Sequence, residues 1–144
     1  MEQALHEDSA NSNHKIPIHF PEGIYGFENI KDYILLQEDE SRMIWSLQAA
    51  DAAYPTLIVI DPFLLTNGYA PKLPAADRRK LGEPQEEDLC WLTVAVIRND
   101  PKDSVVNLKS PIVINVKNRV GIQTILDDSD YPVRYPLFRK DGRA

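Results

Sequence analysis

IVINVKNRVGIQTIL, residues 112–126, reads as two short β-branched runs folded back on each other. Val and Ile carry two heavy atoms on Cβ, which suits a pleated, packed surface better than a helix. Between the runs stand Lys117, Asn118 and Arg119. Asn tolerates the left-handed backbone of a tight turn, so the spacing predicts a β-hairpin with strands at 112–116 and 120–126.

The same signature extends outward in both directions. Short runs rich in Val, Ile, Leu and aromatic residues, parted by turn formers, predict further strands at 16–20, 33–37, 43–49, 56–60 and 89–97. Met43, Trp45, Leu47 and Ala49 alternate with more mixed residues, as on a strand with one buried face. Residues 56–60 and 89–97 are apolar almost throughout and are expected to be central strands covered on both sides. Pro17, Pro55, Pro62, Pro101, Pro111 and Pro132 fall at the edges of these runs, where a missing N–H does not interrupt a ladder. One short helix is expected: Pro74 suits a first turn, residues 75–81 are mostly good helix formers, and Gly82 can end it. It belongs to a long excursion, residues 67–88, of the kind that is often functional or disordered. The fold class is all-β, with one short helix in a long loop.

With 144 residues the chain is the size of one domain, which withdraws about 68–70% of its unfolded surface from water. One core therefore suffices without disulfides. Residues 1–15 carry acids, amides and serines without periodicity and are expected to form a flexible leader. Residues 16–138 form the β domain, and residues 139–144 a basic tail. The leader lacks the apolar stretch of a secretory signal, and no apolar run is long enough to span a bilayer. Cys90, the single cysteine, sits in the apolar run LCWLTVAVI and reads as a small core hydrophobe. A reducing compartment, the cytoplasm, is expected.

The net charge of −6 creates a field that repels phosphate backbones and favours basic protein partners. Direct nucleic-acid binding is not expected. Trp45 and Trp91 lie in apolar strand patterns instead of among Lys and Arg, where base-stacking rings would be needed. His6, His14 and His19 match no common zinc spacing. Asp127, Asp128 and Asp130 lack the glycine and closing glutamate of a calcium loop and read as a solvated turn. Glu22, Glu28 and Asp61 could supply paired carboxylates, but nothing in the sequence brings them together. Glycine-rich phosphate loops, GxSxG elbows and HExxH pairs are missing. No enzyme activity, metal or cofactor is expected.

One stretch, FPEGIYGFE at residues 20–28, sets two glycines three apart between aromatic residues, a pattern that asks for backbone turns at Gly23 and Gly26. It resembles the opening signature of the FliW family of flagellar assembly factors. LQAAD at 47–51, IDPF at 60–63 and VNLKSPIVIN at 106–115 resemble the later signatures in the same order, completed by Arg119, Gln123 and Tyr131. The resemblance runs from residue 18 to residue 138, departing mildly at Tyr54-Pro55 and in the 67–88 excursion.

The resemblance implies a compact, antiparallel β-barrel-like protein of the bacterial cytoplasm that binds flagellin before export, as a chaperone does. Freed of flagellin, it would capture the translational regulator CsrA and antagonise it allosterically, relieving repression of flagellin mRNA. It would be a monomer when free. Loop acids and aromatics flanking strands are the expected partner surfaces: Glu22, Asp61, Phe63, Tyr69, Asp127 and Asp128 combine charge with anchoring rings. The alternative is a small β-barrel that binds RNA directly, whose affinity would fall steeply with salt.

Overall fold

The computed structural model describes Gln3 and residues 15–138. Among them nine strands form one sheet: β1 (Lys15–His19), β2 (Asp32–Gln37), β3 (Ile44–Ala49), β4 (Thr56–Ile60), β5 (Leu89–Val96), β6 (Val105–Val106), β7 (Ile112–Asn115), β8 (Val120–Gln123) and β9 (Tyr135–Pro136). Two short helices, α1 (Pro62–Leu65) and α2 (Ala75–Lys80), lie between β4 and β5. Pairing of β4 with β5 closes the seven strands β1, β2, β3, β4, β5, β7 and β8 into a barrel, and β6 and β9 extend from β5. All pairings are antiparallel except β1 with β8, which meet in parallel at His19 and Val120.

Register explains the barrel interior. Residues opposite each other on paired strands share a face, and Ile16 with Leu35, Ile18 with Tyr33, Leu35 with Leu47, Trp45 with Val59, Cys90 with Ile114 and Leu92 with Ile112 are such pairs. All of them are buried in one inner cluster. Two outer clusters cover parts of the barrel wall. Leu73 and Leu81 pack with Leu89, Trp91, Val113 and Ile122 outside β5, β7 and β8. Tyr69, Leu108, Leu126 and Leu137 pack with Ile60 and Val106 on a neighbouring stretch.

The expected antiparallel all-β barrel is present, with differences in its detail. Two short helices are found where one was expected, because Asp61 and Pro62 start α1 directly after β4. β5 is buried on both faces only from Leu89 to Thr93; Val96 and Ile97 are exposed, since the covering cluster stops short of them. In β4, Leu57 and Ile58 are half-buried instead of enclosed. The hairpin at 112–126 forms, but Arg119 takes the left-handed conformation expected of Asn118. Asn118 uses its side chain instead: its Oδ1 accepts from the Val120 N–H at 3.2 Å. β6 and β9, two residues each, carry too little pattern for sequence reading. The basic tail and most of the leader lie outside the described residues, whereas Lys15 opens β1 and Gln3 is buried.

The 67–88 excursion is a built part of the wall. Leu81 ends α2 fully buried, and its carbonyl accepts from Asn115 Nδ2 at 2.7 Å and from Asn118 Nδ2 at 3.4 Å, so the hairpin holds the excursion in place. Gly82 follows with φ of 85°, a left-handed helix end that glycine adopts without strain. Truncation by Leu81→Ala is predicted to lower the unfolding free energy by about 2–5 kcal/mol. Urea denaturation measures it, and a loss under about 0.5 kcal/mol, the usual effect of a surface substitution, would mean that the excursion does not seal the barrel.

Candidate partner-binding surfaces

The FPEGIYGFE turn is shaped by one close approach. Gly23, with φ of 71°, lies so near Glu28 that a Cβ would fall 2.6 Å from its Cα and carbonyl oxygen. Any side chain there would force the turn open. Phe20 enters the core, and the turn leaves Tyr25 56% exposed. Hydrogen bonds from backbone N–H groups, first that of Gly26 at 3.1 Å, hold the Glu28 carboxyl below the usual carboxylate range. Glu22 is exposed and reaches Lys80 of α2 at 3.1 Å, and this contact raises the Lys80 ammonium above its ordinary value. A pocket of about 450 Å³ separates this turn from Ala52, Ala53 and the exposed Tyr54.

Asp61 and Tyr69 are not where a partner surface needs them. Asp61 is fully buried, and its Oδ1 caps α1 by accepting from the Phe63 N–H at 2.9 Å. Asp at an N-cap followed by Pro at the first helical position is a helix start that the IDPF segment already spells out. Tyr69 is 6% exposed; its hydroxyl donates to the Leu108 carbonyl at 2.7 Å and its ring lies 4.7 Å from that of Tyr131. Burial first, and Tyr131 second, push the phenol well above its ordinary pKa. Phe63 is half-buried, 5.9 Å from Tyr69, so it supports this aromatic cluster more than it projects from it. Cys90 is buried inside the barrel, where burial and then the nearby Asp61 raise its thiol far above the usual range.

Asp127 and Asp128 are exposed together, with Asp130, on one wall of a groove of about 740 Å³. Ala70 to Ala75 form the opposite wall, Leu73 and Leu126 contribute buried apolar lining, and Ile125 is exposed beside the acids. The Tyr131 hydroxyl accepts from the Ala70 N–H at 2.9 Å and ties the walls together. Helix α2 connects the groove to the FPEGIYGFE turn. Its Asp77 accepts from Thr124 Oγ1 at 2.5 Å, next to Ile125, while its Lys80 holds Glu22. Glu22 and the Asp127–Asp128 pair thus flank one helix. Tyr25, Tyr54 and Ile125 are among the exposed apolar groups that sequence reading missed; a tyrosine between two glycines is the signal that could have shown the first.

Among the described residues no three His, Cys, Asp or Glu side chains converge as metal ligands would. No helix among them is long and apolar enough to cross a membrane.

The family model described as FliW protein matches residues 2–137. The chain belongs to the FliW family. A flagellar assembly factor FliW of Caldicellulosiruptor bescii is 41% identical over 121 residues, covering 84% of this chain and 79% of the relative. A flagellar assembly factor FliW of Clostridium tetani is 30% identical over 139 residues, with 96% of each chain covered. The crystal structure of a flagellar assembly factor FliW superposes with a TM-score of 0.78 at 29% identity, covering 86% of each chain. FliW proteins are flagellar assembly factors, a family that works without catalysis, and this chain is accordingly not an enzyme.

The different placements of Asp61 and Asp127 give opposite expectations for substitution in this FliW protein. Asp61→Ala removes a buried helix cap and should cost about 1–2 kcal/mol of stability. Asp127→Lys, on the exposed groove wall, should stay within about 0.5 kcal/mol of the parent. Parallel urea melts of the two variants decide the point.

Proposed function

We propose that the chain holds flagellin in the bacterial cytoplasm before export and, once flagellin has left, captures the translational regulator CsrA and antagonises it allosterically, so that flagellin mRNA is translated. The observation that carries this reading is the family match along nearly the whole chain, residues 2–137. Two protein ligands that exclude one another, by overlapping or by selecting different conformations, make such a protein a switch that reports how much flagellin awaits export.

Charge supports the second half of the cycle. An RNA-binding regulator is expected to carry a basic surface, and this chain presents a net charge of −6 with Asp127, Asp128 and Asp130 exposed beside an apolar groove. Complementary fields speed encounter and disfavour wrong partners. The same field argues against direct RNA binding. In this reading the free protein is a monomer, and Glu22, Phe63, Asp127 and Asp128 remain candidates for partner contact, Phe63 with its exposed part.

Flagellin titrated into a purified complex with CsrA should release CsrA, read by size-exclusion chromatography or fluorescence anisotropy. A ternary complex with independent binding would refute the switch. The double substitution Asp127→Lys with Asp128→Lys should slow association with CsrA and flatten its salt dependence, as loss of rim charge does. Unchanged association kinetics would take these acids out of the interface.

A further inference from the structure

β5 changes partners along its length. Thr93 and Ala95 stand opposite Ile60 and Ile58 of β4, whereas Cys90 and Leu92 stand opposite Ile114 and Ile112 of β7. Peptide groups alternate between the two edges of a strand, so Trp91 presents its N–H and C=O to the same edge as Thr93 and Ala95. Continuing the β4 register would set Trp91 opposite Pro62. Pro62 has no N–H and opens α1 behind the Asp61 cap, so the chain has turned away from the sheet at that point. Trp91 is left with a donor and an acceptor at an edge whose strand has ended.

Gln3 fills the place. Its Nε2 donates to the Trp91 carbonyl at 2.6 Å, and the Trp91 N–H donates to its Oε1; both bonds are buried and Gln3 is 4% exposed. A carboxamide offers the same donor and acceptor that the backbone of an added strand would offer there. Unpaired edges invite strand addition, and proteins commonly cover them. Among the described residues the cover at Trp91 is one side chain, distant in sequence from the sheet it completes.

We propose that Gln3 is an exchangeable placeholder and that flagellin docks an extended apolar segment at this edge of β5, its backbone taking over both hydrogen bonds of Trp91. The inference rests on the partner-switching reading above. An extended polypeptide fits because the groups to be met are backbone groups in ladder geometry, and strand addition is a general mode of peptide recognition. An apolar segment fits because α1, which touches β5, carries half-buried Phe63 and exposed Leu64. The acids of the groove wall lie on other elements, which leaves that surface to the cationic partner.

The test uses the full chain, labelled with nitrogen-15, and purified flagellin. On binding, the Gln3 side-chain amide signals should move to those of free glutamine while the Trp91 amide stays protected from hydrogen exchange. Gln3→Ala should bind flagellin about tenfold more tightly than the parent, because nothing must first be displaced. Gln3→Glu, which can accept from Trp91 but not donate to it, should fall between them. Binding by the parent with the Gln3 signals unmoved, or weaker binding by both variants, overturns the proposal alone. Failure of the parent to bind flagellin overturns the functional reading and this inference together.

Discussion

The barrel depends on a seam that has almost no ladder. β1 and β8 meet in parallel at one residue pair, His19 with Val120, supported by the hydrogen bond from the His19 N–H to the Arg119 carbonyl at 2.9 Å. So short a ladder cannot hold two strands by backbone pairing. What fills the seam is the Phe20 ring, so close above Gly121 that a Cβ there would meet it at 2.7 Å. Phe20 also packs edge-on against Tyr33 at 5.3 Å, which joins the seam to β2. A glycine on β8 and a large ring just past the end of β1 replace the missing ladder.

From that seam the architecture distributes its surfaces. Closing the sheet removes free edges from most strands and leaves function to the loops and to the outer wall. The excursion between β4 and β5 spends its apolar residues on the wall, with Leu73 and Leu81 inward, and leaves Lys72, Ala75 and Lys80 outward. Its helix thereby stands between the acidic groove and the glycine-bounded turn. The outward residues of this excursion can then alter what the protein presents without reaching the inner cluster, which draws on none of them.

Much of this could be read from residue order. Strands at 56–60, 112–116 and 89–97 were visible because β-branched runs between turn formers have few alternatives, and the helix was visible because Pro74 and Gly82 bracket it. β6 and β9 were not, because two residues carry no periodicity. The errors in the candidate site share a physical origin: acid and aromatic content alone does not report burial. Asp61 and Tyr69 look like surface groups until the cap to Phe63 and the bond to Leu108 are seen, and those depend on packing between distant segments. Asp127 and Asp128 stayed exposed because their turn projects outward between two residues of the outer cluster, Leu126 and Tyr131.

The enclosed thiol of Cys90 gives the molecule a practical property. Thiolates, not thiols, react with alkylating and fluorescent reagents, and Cys90 is both walled off from solvent and held protonated. In the native fold this thiol is shielded from maleimides. A cysteine introduced at an exposed position such as Tyr25, Tyr54 or Ile125 would therefore be the sole point of attachment for a dye or crosslinker, with the wild-type side chain of Cys90 left in place.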